Sequence, residues 1–251
     1  NRGHVATIDL NDREHNQPWP GGRTNHYLYD LNRDWLPATQ PESQGRLKLY
    51  YNWRPQVVVD FHEMGRDRTY FFQPGIPSRN NPNTPENVFN LTNKLATYHA
   101  EALNNIGVLY YSKERFDDFY YGKGSTFPDV TGAVGILFEQ ASSRGLATST
   151  TSGELSYTFS IKNHFNASLG TLKGMWEMRD EFLEHQRNFY RDASKAAIQF
   201  PTKAYLISTD YKKTQVGLLL NNLSQHQVKL HSLKKPYAAN NMKFQPGKAV
   251  L

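Results

Sequence analysis

A chain of 251 residues without a cysteine can bury a sizeable core, but it can hold neither a disulfide framework nor a thiolate metal site, so any metal must be taken by His and carboxylates. The net charge of +6 is spread along the chain with no block of like charges, which argues for a mildly basic surface and against a nucleic-acid stripe. No apolar run approaches the roughly 18 residues of a membrane span, and the opening NRGHVATIDLND has neither the basic nor the apolar region of a signal peptide.

The first thirty residues, with DLNDREHNQPWPGGRTNHY, carry turn chemistry and little periodicity, and they read as an ordered loop of the length that usually serves function. In QPESQGRLKLYYNWRP, Pro41 suits a first helical position and Pro55 closes the segment, which predicts a short helix. QVVVDFHEMG is a β-branched apolar run, predicted as a strand covered on both faces, with His62 just past its end. Residues 65–83 are polar and proline-rich. TPENVFNLTNKLATYHAEALNNIG then predicts a helix with Thr84 as N-cap, Pro85 in the first turn and Gly107 as the stop. Its apolar positions Val88, Leu91, Leu95, Tyr98, Ala102 and Ile106 step by three and four, the mark of a helix packed on a sheet.

An aromatic, glycine-bearing loop from Phe116 to Pro128 leads into GAVGILFEQ, a second buried strand, predicted to end on Glu139. From about Ser160 to Ile198 a helical pattern runs through Phe165, Leu169, Leu172, Trp176, Phe182 and Phe189, with a break predicted near Gly170 or Gly174. Phe200 and Pro201 mark a change of composition, and AYLISTDYKKTQVGLLLNNLSQHQVKLHSL reads strand, helix, strand. The expected organisation is an α/β domain over 1–198 and the start of a second α/β unit over 199–251.

His62 and Glu139 each close a predicted strand, and in open α/β sheets ligands collect beyond the carboxyl ends of strands. An acid that continues a strongly apolar run must reach water or be used. Upstream, GGRTNHY carries Arg23 and DLNRDW carries the pair Asn32 and Arg33. Together with His62 in VVVDFHEMG and Glu139 in GILFEQASSRG, in the chain order Arg, Asn-Arg, His, Glu, these residues resemble those of the zinc carboxypeptidases, the funnelin-type metallopeptidases, over residues 1–190.

The resemblance implies a mixed-sheet α/β/α sandwich and a site in which Asn32 and Arg33 clamp the terminal carboxylate of a peptide. It further implies that Arg23 polarises the scissile carbonyl, that His62 is the third ligand of one zinc ion, and that Glu139 is the general base. A tyrosine of a mobile loop closes over the bound terminus in that family, and either Tyr120 or Tyr121 in FDDFYYGKGSTFPDV stands in the matching interval. A planar guanidinium suits a carboxylate because it makes two parallel charge-assisted hydrogen bonds, which Lys cannot copy. The implied activity is a metallocarboxypeptidase acting on peptides with a free C-terminal carboxylate, with no nucleic acid or membrane as partner and a periplasmic or secreted location. The alternatives are a metal-free pseudoenzyme that binds peptide or cell-wall C-termini, and a peptidoglycan-type amidase.

The family's first two zinc ligands come from a His-x-x-Glu motif before the Asn-Arg pair, and none stands there: His4 is followed three on by Thr7, His15 by Pro18 and His26 by Tyr29. The expected explanation is that the chain is a fragment lacking those ligands, and that by itself it binds zinc weakly or not at all. Glu181 and His185, four apart in DEFLEHQ, read as a solvated helix face in preference to substitute ligands.

Overall fold

The computed structural model describes residues 23–143, 145–208, 212–239, 242–247 and 249–250, divided into two compact units, Asn1–Leu36 with Arg54–Tyr190 and Pro37–Trp53 with Arg191–Leu251. Pro41–Trp53 forms helix α1, as its two prolines predict, but it belongs to the second unit. In the first unit, β1 (Val57–Met64), β2 (Tyr70–Phe72), helix α2 (Glu86–Asn104), β3 (Tyr110–Tyr111) and β4 (Val134–Ala141) follow in chain order. The four strands make one mixed sheet in the order β1-β4-β2-β3: β1 runs parallel to β4, β2 antiparallel to β4 and parallel to β3. A hairpin of β5 (Ala147–Thr150) and β6 (Gly153–Ser156) leads into helices α3 (Tyr157–Glu177) and α4 (Arg179–Gln199).

The sheet's two faces are assigned by the alternation of β4. Val134, Ile136 and Phe138 join Tyr70, Phe72, Val88, Leu91, Leu95, Leu103, Ala167 and Phe182 in the core under α2 and α3. The other face carries Gly135, Leu137 and Glu139, and at Gly135 it meets a loop: a Cβ there would stand 2.0 Å from the Ser125 carbonyl oxygen. β4 is buried at every position except the half-buried Glu139. β1 corrects the expectation of a strand covered on both sides, for it is an edge of the described sheet, with Val59 37 % and Phe61 38 % exposed.

Both long strands also run further than predicted. The ladder continues past His62 and Glu139 to the pair Met64 and Ala141, because backbone pairing is indifferent to the side chains that ended the apolar runs. α2 begins at Glu86 with Pro85 as its cap, and the Thr84 hydroxyl pairs with that of Tyr121 (3.2 Å) instead of capping the helix. Its buried stripe is Val88, Leu91, Thr92, Leu95, His99 and Leu103, which departs from the predicted stripe after Leu95.

The long helical pattern breaks at Met178 (φ −97°, ψ 13°), not at Gly170 or Gly174. Those glycines lie inside α3 where it crosses α2: a Cβ at Gly170 would be 2.9 Å from the Tyr98 carbonyl oxygen, and one at Gly174 2.5 Å from Leu95 Cδ1. The face of α3 that is buried consists of Ser160, Asn163, Ala167, Gly170, Thr171 and Gly174. Phe165, Leu169, Leu172 and Trp176, which the periodicity marks as the packed stripe, are exposed, because small residues let the two helix backbones approach and large ones do not.

In the second unit, β7 (Leu206–Ile207), helix α5 (Lys213–Gln225) and β8 (His231–Ser232) follow the predicted strand, helix, strand order. They are followed by the hairpin of β9 (Tyr237–Ala239) with β10 (Met242–Phe244) and by β11 (Ala249–Val250), which pairs antiparallel to both β7 and β8. α1 joins α5 through Tyr51 with His226 (3.1 Å) and through Asn222, which donates to the Pro37 carbonyl (2.6 Å). Those contacts place residues 37–53 with the C-terminal unit, a grouping that sequence order does not display. Among the described residues no helix is long and apolar enough to cross a membrane.

Candidate active site

His62 and Glu139 are direct partners in the parallel pairing of β1 with β4, so both side chains leave the same face of the sheet near the carboxyl ends of their strands. Asp60, two residues before His62, leaves that face as well. The strongly apolar neighbours Phe61 and Phe138 point to the core side, their rings stacked at 4.9 Å. The alternation that sends Phe138 into the core is what presents the polar set on the opposite face.

The 3-10 turn Leu31–Arg33 brings Asn32 to this face, with Asp30 capping the turn by accepting from the Asn32 backbone (2.9 Å). The Asn32 side chain is engaged at both ends. Its Nδ2 donates to Asp60 Oδ2 (3.0 Å), and its Oδ1 accepts from the Gly124 backbone N–H (2.8 Å). Asp60 Oδ1 lies 2.6 Å from His62 Nε2, and Asn32 Nδ2 is 3.0 Å from the same nitrogen. These contacts decide the tautomer. A bare Nε2 would set its lone pair against a carboxylate at that distance, so Nε2 carries a proton and donates it to Asp60, and the Asn32 amide serves Asp60 alone.

Gly124 is required where it stands. A Cβ there would be 2.9 Å from Asp60 Oδ2 and 3.0 Å from Trp35 Nε1, so the loop can press its backbone onto the carboxylate only without a side chain. Farther along that loop, Asp129 is wholly buried, accepts from the Gly135 N–H (2.8 Å) through Oδ1 and shares a side-chain hydrogen bond with Asp118. Burial pushes the Asp129 carboxyl well above its ordinary range, and neighbouring Asp118, which accepts from Thr126 (2.9 Å), is pushed up as well.

Arg23 pairs with Asp30 (2.8 Å) and lines an open crevice beside β1 together with Phe61, His62, Tyr157, His164 and Phe165. Burial raises the Glu139 carboxyl above its usual range; the His62 charge works against that, the Asp60 charge adds to it, and Arg23 opposes it. The hydrogen bond to Asp60 raises His62 above the usual histidine range; burial pulls it down, the charges of Asp60 and Glu139 raise it, and Arg23 lowers it. Arg33 turns its Nη1 to the Asn32 carbonyl (2.7 Å), and Tyr120 donates to the Arg33 carbonyl (3.1 Å). Tyr121 instead meets Thr84, so of the two tyrosines it is Tyr120 that lies against Arg33.

Two further histidines, His164 and His185, are held by packing and hydrogen bonds, while His4 and His15 lie outside the described residues. His164 is held by the Tyr70 hydroxyl (2.9 Å) and the backbone of His62. His185 is buried against Asn87 (3.1 Å) while Glu181 pairs with Lys94 on the surface, so the two do not share the solvated face expected of them. Among the described residues no group of three His, Asp or Glu side chains could hold a metal ion. The donor set at the site is therefore one imidazole with its carboxylate behind it, which fits a metal as one ligand of a larger set. Asp60 and Gly124 are the two site residues that sequence reasoning missed. The sequence signal for Asp60 was its place two residues before His62, on the same strand face. Compared with family models, curated proteins and solved structures, the chain matches none of them.

Proposed function

We propose that the first unit carries part of the active site of a zinc-dependent metallocarboxypeptidase, built on a mixed-sheet sandwich of the zinc-carboxypeptidase type. The observation that carries this reading is the direct pairing of His62 with Glu139 on one sheet face, with Arg23 close enough to act on the charge of both. His62 would hold zinc through Nδ1, with further ligands from outside the described residues; a bound zinc supplies an activated water and polarises the scissile carbonyl.

Glu139 takes a proton from the attacking water and returns it to the leaving amine, a role that suits a carboxyl raised toward neutrality by burial. Arg23 donates to the oxyanion as it forms, and losing one such donor typically costs about two to three decades in rate. Arg33 receives the substrate's terminal carboxylate once its guanidinium leaves the Asn32 carbonyl. Asn32, whose amide is held by Asp60 and Gly124, contributes to that clamp by fixing the turn that presents Arg33. Tyr120, hinged on the Arg33 carbonyl, closes over the bound terminus.

The test is zinc content and hydrolysis of a short free-carboxylate peptide by the full-length gene product, beside its Glu139→Gln variant. The expected result is one zinc per chain in both and turnover in the parent alone. Peptide binding through Arg33 with neither zinc nor turnover would make the site a reader of C-termini and refute the enzyme.

A further inference from the structure

We infer that Asp60 is a positioning residue for His62: it accepts the hydrogen bond of the Nε2 proton, fixes the ring's tautomer and orientation, and leaves Nδ1 as the lone pair that the site uses. The inference rests on the reading of His62 as the residue that presents a ring nitrogen to the reaction centre.

Three observations converge on it. Asp60 and His62 are two apart on β1, so the strand itself places them side by side on one face, and the 2.6 Å contact needs no loop to form. Asp60 is in turn held from behind, since Oδ2 accepts from Asn32 Nδ2 (3.0 Å), whose Oδ1 is pinned by the Gly124 N–H (2.8 Å). The carboxylate is thus bound on both oxygens and cannot rotate away from the imidazole without breaking a bond on each side. Finally, Gly124 admits no side chain, because a Cβ would stand 2.9 Å from Asp60 Oδ2, so the same close approach that pins Asn32 also walls in the carboxylate. The order of support runs Gly124, Asn32, Asp60, His62, from a loop backbone to a ring nitrogen. A ring held this way offers Nδ1 to a metal or a proton without paying for orientation on each encounter.

The first measurement is nitrogen-15 NMR of the histidine-labelled chain at alkaline pH, where the ring is neutral, with exposed His26 as the internal reference. Wild-type His62 is expected to show a pyrrole-like Nε2 bearing a downfield, slowly exchanging proton, and a pyridine-like Nδ1. In Asp60→Ala that proton signal is lost and the ring samples both tautomers as His26 does. Asp60→Asn, which keeps the shape and an acceptor oxygen, retains the proton signal but moves it upfield, and it serves if the alanine variant does not fold. A wild-type His62 protonated on Nδ1, or an unchanged spectrum in Asp60→Ala, overturns the inference.

The second measurement separates this from the enzyme reading. In the full-length gene product, Asp60→Ala is expected to weaken zinc binding by about 10- to 100-fold, the usual effect of removing such a partner. If the tautomer responds to Asp60 while zinc affinity does not change, the positioning role stands and His62 is not a zinc ligand.

Discussion

Arg33 is the residue whose role depends most on what binds. Its exposed guanidinium rests on the Asn32 carbonyl beside the turn that Asp30 caps, and in the proposed clamp it would exchange that backbone oxygen for a carboxylate. Arg33→Ala is expected to raise KM for free-carboxylate peptides far more than for the same peptides amidated; equal losses on both would remove the clamp. His62 and Glu139 were legible because an ionisable group that ends an apolar run stands out against its neighbours. Asp60 was not, since one acid inside VVVDF looks like a lapse in the pattern until strand alternation puts it beside His62. Gly124 was hidden for a different reason. The need for a missing Cβ arises from Asp60 and Trp35, which are remote in sequence.

Elements were legible where their boundaries are local and misread where packing chose the face. α1 starts on Pro41 as predicted, because proline's fixed φ acts within one residue. α3 shows the opposite case. Its large apolar residues form the better stripe, yet it packs by Ala167, Gly170 and Gly174, since the distance to α2 admits nothing larger at the crossing. This gives a paired prediction for one kind of substitution. Gly174→Ala should destabilise the chain, because overpacking costs roughly 1–3 kcal/mol while the gain in helix propensity returns only about 1. Gly217→Ala in α5, where a Cβ meets nothing within 4 Å, should stabilise it by about 1 kcal/mol. Urea midpoints of the two variants check both signs, and a rise in both would show that propensity, not packing, governs α3.

For the whole molecule, acid sensitivity follows from a histidine in the core. His99 is wholly buried; its Nε2 donates to the Thr171 hydroxyl (3.0 Å), which itself donates to the Ala167 carbonyl (3.0 Å), and its Nδ1 has no partner. Burial lowers its pKa from 6.5 to about 3. A folded value below the unfolded one means that the unfolded chain binds the extra proton, so the stability is present above the unfolded pKa and is lost as pH falls from 6.5 toward 3. The slope is up to roughly 1.4 kcal/mol per pH unit within that window. Asp129 acts with the opposite sign: burial raises its carboxyl, so its contribution is greatest in acid and is lost as pH rises above its ordinary value. His99→Leu is expected to flatten the fall in urea midpoint between pH 6.5 and pH 4. An unchanged fall would place the acid sensitivity elsewhere.

By itself the sequence determined the α/β class, the two long strands, the helices at 41–53 and near 86–104, and the polar candidates at the ends of the apolar runs. Each of these follows from interactions between residues close in the chain: proline geometry, β-branching, a period of two or of three and four. Tertiary structure alone decided that His62 and Glu139 are direct partners, that Asp60 stands behind the imidazole, that Gly124 closes on it, that Tyr120 and not Tyr121 lies against Arg33, and that α1 joins the C-terminal unit. Register, close backbone approach and the choice of a packed face are set by residues dozens of positions apart, and no local pattern carries the distance between them.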